Sequence, residues 1–401
     1  MPFACGYYLS YVYRNVNATL FRDLVAELGL DASALGLLTS AYFFTFAAAQ
    51  LPVGLLLDRY GPRRVNAALF ALAAAGAAGF ALSHSVTGLV VSRALIGLGV
   101  SAGLMAAMKA FVEWFPLSRL ARLNGTLMAV GGLGAMTATA PVEAVLGLIG
   151  WRGLFALLSA LTLAVGAAIL WIAPERGAGT RAVTADLLTG LRRVLRDGFF
   201  WRVTAVSATT LGPAIALQGL WAGPWLRDVA GLDKQGSAHV LFVLTIALTA
   251  GFLLSGRIAD LARRCGARMI EVLAAAGLLS ALALAGIAVA AGPGATALWF
   301  VYIFVTAGAT LAYPVLVGHF PGALTGRVNA SLNMATFVAA FAAQYGTGPV
   351  LDRWGTGAAG PGAYPPVAYG IAFGAIALLQ GAALCWLLPV LVDLRRRGRP
   401  V

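Results

Sequence analysis

Apolar stretches of about 20 residues recur along the whole chain, and no other feature limits its fold as strongly. A helix of about that length crosses the roughly 30 Å hydrocarbon core of a bilayer. Charged residues make up only 11% of the 401 residues, whereas soluble domains carry roughly a quarter. Lipid must therefore cover most of the surface, and the sequence predicts an all-α integral membrane protein.

Twelve such stretches are predicted to be transmembrane helices and are named spans 1 to 12. In chain order they cover residues 4–22, 35–57, 65–84, 87–114, 122–146, 151–173, 201–222, 236–256, 268–291, 296–318, 328–350 and 366–392. The longest interruption separates six spans from six. We therefore expect an N-terminal half at 1–173, a linker at 174–200, a C-terminal half at 201–392 and a basic tail at 393–401. No basic residue precedes the first apolar stretch, so span 1 is interpreted as a retained helix and not as a signal peptide.

Basic residues between the spans predict the orientation of the chain. One alternating set of connections holds five of them, namely Arg22, Arg152, Arg227, Lys234 and Arg353. The other set holds twenty arginines, at 59, 63, 64, 119, 122, 176, 181, 192, 193, 196, 202, 257, 263, 264, 268, 327, 395, 396, 397 and 399. The positive-inside rule places this richer set and both termini in the cytoplasm, with the spans in the inner membrane. The same rule accounts for the net charge of +13 without a nucleic-acid partner.

The linker is predicted to contain a basic amphipathic helix near 186–197. Its apolar positions recur at helical spacing, with three arginines between them: Leu187, Leu188, Leu191, Val194 and Leu195, with Arg192, Arg193 and Arg196. Such a helix lies on the inner membrane face. A solvated linker without this helix is the alternative.

Two sequence patterns recur in both halves. Residues 115–127 read FPLSRLARLNGTL and residues 320–332 read FPGALTGRVNASL, 205 positions later. Gly54 and Asp58 recur as Gly256 and Asp260, 202 positions later. Two agreeing offsets indicate duplicated halves, and duplicated transporters bind substrate near the middle of the membrane between the repeats.

The connection after span 2 resembles the signature loop of the major facilitator superfamily, G-x-L-a-D-r-x-G-r-r-r. It runs from Gly54 to Arg64 as GLLLDRYGPRR, with Pro62 in place of one basic residue. The second copy, Gly256–Gly266, keeps the glycine, the aspartate and a basic pair but is two residues longer. The resemblance covers the six-plus-six organisation of the whole chain. It implies two pseudo-symmetric six-helix halves around a central cavity, which opens alternately to each side.

Charge placement in these two loops predicts a conformational latch on the cytoplasmic side. A carboxylate held against arginines at a helix terminus can fix one state, and glycines let neighbouring helices approach closely. A simple topology signal is the alternative interpretation. The latch candidates are Gly54, Asp58, Arg59, Arg63, Arg64, Asp260, Arg263 and Arg264.

Span 4 begins with Arg93, Gly97 and Gly99, which is similar to the family's helix-4 pattern R-x-x-x-G-x-G. This resemblance implies a structural or coupling role for Arg93, and an arginine that snorkels to the outer surface is the alternative. Span 5 reads GGLGAMTATAP at 131–141 and lacks the exporters' G-x-x-x-G-P-x-x-G-G. This difference argues weakly against a multidrug antiporter.

Arg14 is the charge that most directly indicates a substrate, because it lies near the middle of span 1. A charge at that depth costs at least about 2.5–3.5 kcal/mol on insertion scales and is usually functional. A permanently charged, planar guanidinium suits an anionic substrate. A buried ion pair with Glu113 is the alternative.

Lys109 is the second cation inside a span, and Glu113 follows one helical turn later. Lys109 is interpreted as a substrate or coupling residue, with a snorkelling lysine paired to Glu113 as the alternative. Glu113 is itself a weaker candidate for carrying a proton.

Offsets of 203–205 residues locate matching positions in the C-terminal half. Arg14 corresponds in depth to Gln218, and Lys109 corresponds to Pro314, next to Tyr313. With polar neighbours at similar depths, the predicted substrate contacts are Arg14, Lys109, Gln218, Tyr313, Asn17, Tyr42, Asn333 and Tyr13. Trp221 and Trp225 are predicted to belong to an interfacial belt, and Gln344 to helix packing.

The remaining composition narrows the class of function. The three cysteines and three histidines are scattered without metal or disulfide spacing, so no metal or cofactor is expected. No G-x-x-x-x-G-K-[ST] is present, so the chain is not itself an ATP-driven pump, and no nucleophile cluster indicates an enzyme. We expect a monomeric secondary transporter for a small organic anion, driven by a proton or counter-substrate gradient. A proton-coupled exporter of drugs or of neutral or cationic metabolites, and a transport-inactive receptor, are the alternatives.

Overall fold

The computed structural model describes residues 2–115, 117–174, 184–290, 292–321, 324–354 and 363–397. Helices dominate these residues, and no strand occurs among them. The chain divides into two compact units, Met1–Ala182 and Val183–Val401. Nine helices within the described residues are long and apolar enough to cross a membrane, which confirms the predicted all-α, multi-pass membrane fold.

Helices of the first unit follow the predicted spans but run past their ends. They are Pro2–Asn15, Asn17–Leu28, Ala32–Leu82, Val86–Val100, Gly103–Trp114, Leu117–Thr137 and Ala140–Ile172. Gly61 and Gly150 have φ angles of 79° and 65°, so they divide two of these helices into separate spans. Span 1 is interrupted at Val16 and continues to Leu28, beyond its predicted end at 22, because its last turns are amphipathic and lie outside the apolar stretch.

Helices of the second unit include two irregular membrane helices. They are Thr184–Leu195, Gly198–Ala216, Ala222–Asp228, Lys234–Arg264, Met269–Val289, Thr296–Thr306, Ala312–His319, Thr325–Asp352 and Pro366–Arg397. A π-helical turn, Leu217–Trp221, interrupts span 7, and a 3-10 turn, Ala307–Leu311, interrupts span 10. Single π turns inside α-helices are frequent at functional sites.

The two units repeat the same backbone geometry where span 1 or span 7 meets the next helix. Gly29 and Gly231 both have positive φ angles, 63° and 72°, at positions 202 residues apart. Two residues after each glycine, an aspartate caps the next helix. Asp31 accepts a hydrogen bond from the Ala34 amide at 2.7 Å, and Asp233 accepts one from Gly236 at 2.8 Å. The sequence duplication therefore extends to local structure.

Close packing between spans 2 and 4 fixes the surroundings of Arg14. A Cβ atom added at Gly97 would lie 2.3 Å from the carbonyl oxygen of Tyr42. Thr45 strengthens the same contact, since its hydroxyl donates to the Ala94 carbonyl at 2.8 Å. Only a glycine lets the two backbones approach this closely.

The linker helix Thr184–Leu195 packs against the second unit. Val194 is fully buried in the hydrophobic core, and a Cβ atom at Gly190 would lie 2.7 Å from the Arg327 guanidinium. Arg192, Arg193 and Arg196 are exposed. Protein therefore covers part of the face predicted to contact the membrane, while the side chains of Leu187 and Leu188 lie outside the described residues.

Candidate substrate-binding site

Arg14 lies at the end of the first helix, two residues before the interruption of span 1 at Val16. Its guanidinium carbon is 4.6 Å from the centre of the Tyr11 ring and 5.4 Å from that of Phe46. Its side chain also hydrogen bonds with Tyr42, which is fully buried. Cation–π contacts and a tyrosine hydroxyl thus hold the guanidinium of Arg14 in place.

Further tyrosine hydroxyls form a polar network beside this arginine. Tyr7 donates to the Tyr11 hydroxyl at 3.2 Å, and Tyr42 donates to the Ser10 carbonyl at 3.3 Å. The two rings of Tyr7 and Tyr11 pack edge to face at 5.0 Å. The group of Arg14, Tyr7, Tyr11, Tyr42 and Phe46 is called the Arg14 group below. It combines a permanent positive charge with hydroxyl and aromatic groups, which is suited to binding an organic anion.

Arg93 supports the Arg14 group from span 4. Its two terminal nitrogens donate to the Tyr13 carbonyl oxygen, each at 3.1 Å, and its guanidinium carbon lies 5.3 Å from the centre of the Tyr42 ring. Only 1% of Arg93 is exposed. This burial contradicts the alternative of a snorkelling arginine and assigns Arg93 a structural position behind the site.

The structure separates the other predicted contacts of the first unit. Tyr13 is fully buried, and its hydroxyl lies 2.9 Å from the Thr162 hydroxyl on span 6. Lys109 donates to the Leu57 carbonyl at 2.9 Å, at the end of span 2, and Glu113 is half-buried one turn further along the same helix. These hydrogen bonds join Tyr13 to span 6 and Lys109 to the end of span 2.

Asn17 follows the interruption of span 1 and is 1% exposed. Neither its amide nitrogen nor its amide oxygen has a hydrogen-bond partner among the described residues. Leaving a buried polar group unsatisfied costs about 1–3 kcal/mol. Asn17 is therefore available to a water molecule or a ligand, in keeping with its predicted role as a contact.

Predicted contacts of the second unit form two hydrogen-bonded pairs. Gln218, in the π turn of span 7, donates to the Thr245 hydroxyl at 3.2 Å. Tyr313 donates to Asn333 at 3.3 Å, linking spans 10 and 11. These pairs are neutral and can donate and accept hydrogen bonds.

Trp221 and Trp225 do not form an interfacial belt, so that prediction is wrong. Both are buried, at 0% and 1% exposure. Trp221 donates to the Gln344 carbonyl at 3.0 Å, and Trp225 packs edge to face on Trp299 at 5.6 Å. Hydropathy indicated that these residues lie near an end of span 7, but it could not indicate that their side chains point into the protein.

The proposed latch is only partly visible. Asp260 forms an ion pair with Arg263, and Arg63 donates to the Leu170 carbonyl at 2.7 Å. Arg59 lies over the Tyr60 ring at 5.2 Å, while Arg64 and Arg264 are exposed. The Asp58 side chain lies outside the described residues.

Glycines of the latch have a different role from the expected one. A Cβ atom at Gly54 or Gly256 would meet no atom within 4 Å, so close packing at these two positions is absent. Gly61 and Gly266 have φ angles of 79° and 85°, which side chains rarely adopt. Backbone conformation therefore explains Gly61 and Gly266, and nothing in the structure explains Gly54 or Gly256.

Comparison with known proteins gives a consistent result. The family model described as Major Facilitator Superfamily matches residues 3–344. The chain is 26% identical over 274 residues to the probable sulfoacetate transporter SauU of Cupriavidus necator, covering 63% of this chain and 62% of that one. It is also 26% identical over 266 residues to the probable L-galactonate transporter of Escherichia coli, covering 63% and 59%. The chain thus spans about six tenths of the length of these curated relatives.

Solved structures show the same fold. A D-xylose–proton symporter matches with a TM-score of 0.71 and 18% identity, covering 94% of this chain and 95% of that one. A bacterial homologue of the human lysosomal transporter Spinster, inward-facing and unoccupied, matches with a TM-score of 0.72 and 16% identity, covering 96% and 93%.

Proposed function

The chain belongs to the Major Facilitator Superfamily, and from this membership we propose that it is a secondary transporter that carries a small organic anion across the inner membrane. The observation that carries the proposal is the Arg14 group. A guanidinium cannot lose its proton in a protein, so Arg14 keeps its charge in every state of the transport cycle. An organic anion, and a carboxylate in particular, would offset that charge with paired hydrogen bonds.

The aromatic surroundings of Arg14 also support this function. The rings of Tyr11 and Phe46 contact the guanidinium and hold it in place. The names of the relatives, which include a probable sulfoacetate transporter and a probable L-galactonate transporter, also favour an anionic substrate.

Neutral groups supply the remaining proposed contacts. Asn17 offers a buried amide without a protein partner, and Gln218 and the Tyr313–Asn333 pair offer amides and a hydroxyl in the second unit. Lys109 and Tyr13 are also proposed as substrate contacts because of their positions in the sequence, although in this structure they hydrogen bond with Leu57 and Thr162. Transport is proposed to proceed by alternating access in a monomer with cytoplasmic termini. A proton or a counter-substrate gradient is proposed to drive it, with Arg93 and Glu113 as coupling candidates.

A ligand screen tests this proposal directly. Purified protein is heated with organic acids, amino acids and sugars, because a ligand that binds the native state raises its apparent stability. The expected result is stabilisation by organic anions, followed by uptake of the same anion into proteoliposomes. Stabilisation only by neutral or cationic compounds would favour the exporter, and binding without uptake would indicate a transport-inactive receptor.

A further inference from the structure

A carboxylate fastens the predicted outer end of span 1 to the start of span 6. Glu27 lies in the last turn of the segment 17–28 and accepts a hydrogen bond from the Trp151 indole at 2.6 Å. It also forms an ion pair with Arg152. Gly150, with a φ angle of 65°, ends the preceding helix, so Trp151 and Arg152 stand in the first turn of span 6.

Arg152 extends this connection to a third helix end. It donates to the Ser83 carbonyl at 3.2 Å and lies 3.2 Å from Nδ1 of His84, between spans 3 and 4. Its guanidinium also lies 4.1 Å from the centre of the Trp151 ring. The Glu27 carboxylate thus joins a preorganised pair of donors.

A second carboxylate makes the corresponding connection in the other unit. Asp228 ends the segment 222–228 of span 7 and accepts from the Tyr369 hydroxyl at 2.7 Å and from the Tyr364 amide at 3.1 Å. Tyr369 stands in the first turn of span 12. The Tyr364 hydroxyl in turn donates to Asp352, at the end of span 11, at 3.2 Å.

Each connection follows an interruption in the middle of its helix. Span 1 is interrupted at Val16, and the π turn of span 7 ends at Trp221, 205 positions later. This offset also relates residues 115–127 to 320–332. Nearer the carboxylates the offset is 202, from Gly29 to Gly231, and Glu27 and Asp228 lie 201 positions apart. The connection therefore recurs in both units at nearly matching positions.

We propose that Glu27 and Asp228 are clasps that hold the outer segments 17–28 and 222–228, and that each segment pivots at its interruption when its clasp opens. The Glu27–Arg152 pair is partly exposed, at 44% and 30% of the side chains. Exposed ion pairs contribute little net stability, so such a clasp can open and close within a transport cycle. Arg14 lies two residues before the first pivot, so the proposed motion of the outer segment begins beside the Arg14 group.

Hydrogen–deuterium exchange of the full-length protein tests the clasps without any substrate, so the result is independent of the proposed anion transport. Tyr369→Phe and Trp151→Phe each remove one donor and keep an aromatic ring. We expect several-fold faster exchange confined to 222–228 in the first variant and to 17–28 in the second. Tyr364→Phe is the matched control, since it removes the bond to Asp352 and keeps the amide that donates to Asp228.

Two outcomes would overturn the proposal. If both variants exchange at the wild-type rate in 17–28 and 222–228, these hydrogen bonds do not restrain the two segments. If exchange becomes faster throughout the unit, the removed bond supports the packing of the whole unit and not one local segment. Glu27→Gln is a second variant in case Trp151→Phe does not fold. It keeps an acceptor for Trp151 but removes the charge opposite Arg152, and the expected result is again faster exchange confined to 17–28.

Discussion

Arg93 donates both terminal nitrogens of its guanidinium to one acceptor, the carbonyl oxygen of Tyr13, which is the residue before Arg14. Span 4 is thereby fastened to span 1 one residue before Arg14 and three residues before the interruption at Val16. The Tyr42 ring also contacts Arg93, and the Tyr42 side chain hydrogen bonds with Arg14. The position of the proposed substrate-binding charge therefore depends on a second arginine that is itself almost fully buried.

Replacement of Arg93 tests this dependence. A hydrogen bond involving a charged group contributes about 1.5–3 kcal/mol, so Arg93→Gln should lower the free energy of unfolding by about that amount. The variant should also weaken ligand binding, because the Tyr13 carbonyl and Arg14 shift together. Thermal melts and ligand titrations measure the two effects, with the exposed Arg196→Gln as control. A variant as stable as the wild type would contradict the role of Arg93.

Arg14 itself should determine the charge of the substrate. Arg14→Ala should cost roughly 2–5 kcal/mol of binding if the charge pair with the anion is desolvated. Arg14→Lys keeps the charge but loses the planar pair of donors, so a carboxylate should bind less tightly than to the wild type. Affinities of folded variants measure both effects, and Arg192→Ala in the linker helix is the control. Unchanged affinity of Arg14→Ala for an anion would remove Arg14 from the site.

Asp58→Asn and Asp260→Asn should slow conformational exchange and leave substrate affinity within a few-fold of the wild type. The reason is that the proposed latch acts between states, and the Asp260–Arg263 pair lies at the end of span 8. Transport rates and equilibrium binding are compared in the same preparations. Loss of binding in a correctly folded Asp58→Asn protein is the result that would rule out a latch.

Acidification should loosen the Glu27 clasp. The hydrogen bond from Trp151 and the charge of Arg152 hold the pKa of Glu27 below its ordinary value, which is about 4.3 in peptides. A lowered carboxyl pKa stabilises the folded state above the ordinary pKa, and this contribution is lost as the pH falls through the lowered value. Exchange of 17–28, corrected for its intrinsic pH dependence, should therefore rise below roughly pH 4. Glu27→Gln should show no such rise.

Both termini should lie in the cytoplasm. The twenty arginines of one set of connections against five basic residues of the other require this orientation. A reporter fused after Val401 should be active only on the cytoplasmic side. A reporter that is active outside the cell would reverse the orientation of every loop, including the proposed latch and clasps.

Hydropathy predicted the membrane-spanning fold, because it depends on the distance along a helix. The direction of a side chain around an irregular helix could not be predicted in this way. Trp221 shows the difference, since it lies in the π turn and its indole is directed inward to the Gln344 carbonyl.

Contacts between distant residues were equally inaccessible from sequence. Lys109 donates a hydrogen bond to the Leu57 carbonyl. Every residue has a backbone carbonyl, so the sequence does not indicate which one accepts the bond. Glu27 was overlooked because it lies beyond the apolar stretch of span 1. Its signal was present in Gly150-Trp151-Arg152, a glycine that ends one helix followed by two donors.

The two clasps differ in how they respond to dissolved ions. Glu27 faces a charged partner at a partly exposed position, and salt screens such an attraction over a distance of about 8 Å at physiological ionic strength. Tyr369 and the Tyr364 amide carry no charge, so salt weakens their bonds to Asp228 far less. A rise in external salinity would thus weaken the Glu27–Arg152 attraction more than the hydrogen bonds from Tyr369 and the Tyr364 amide to Asp228.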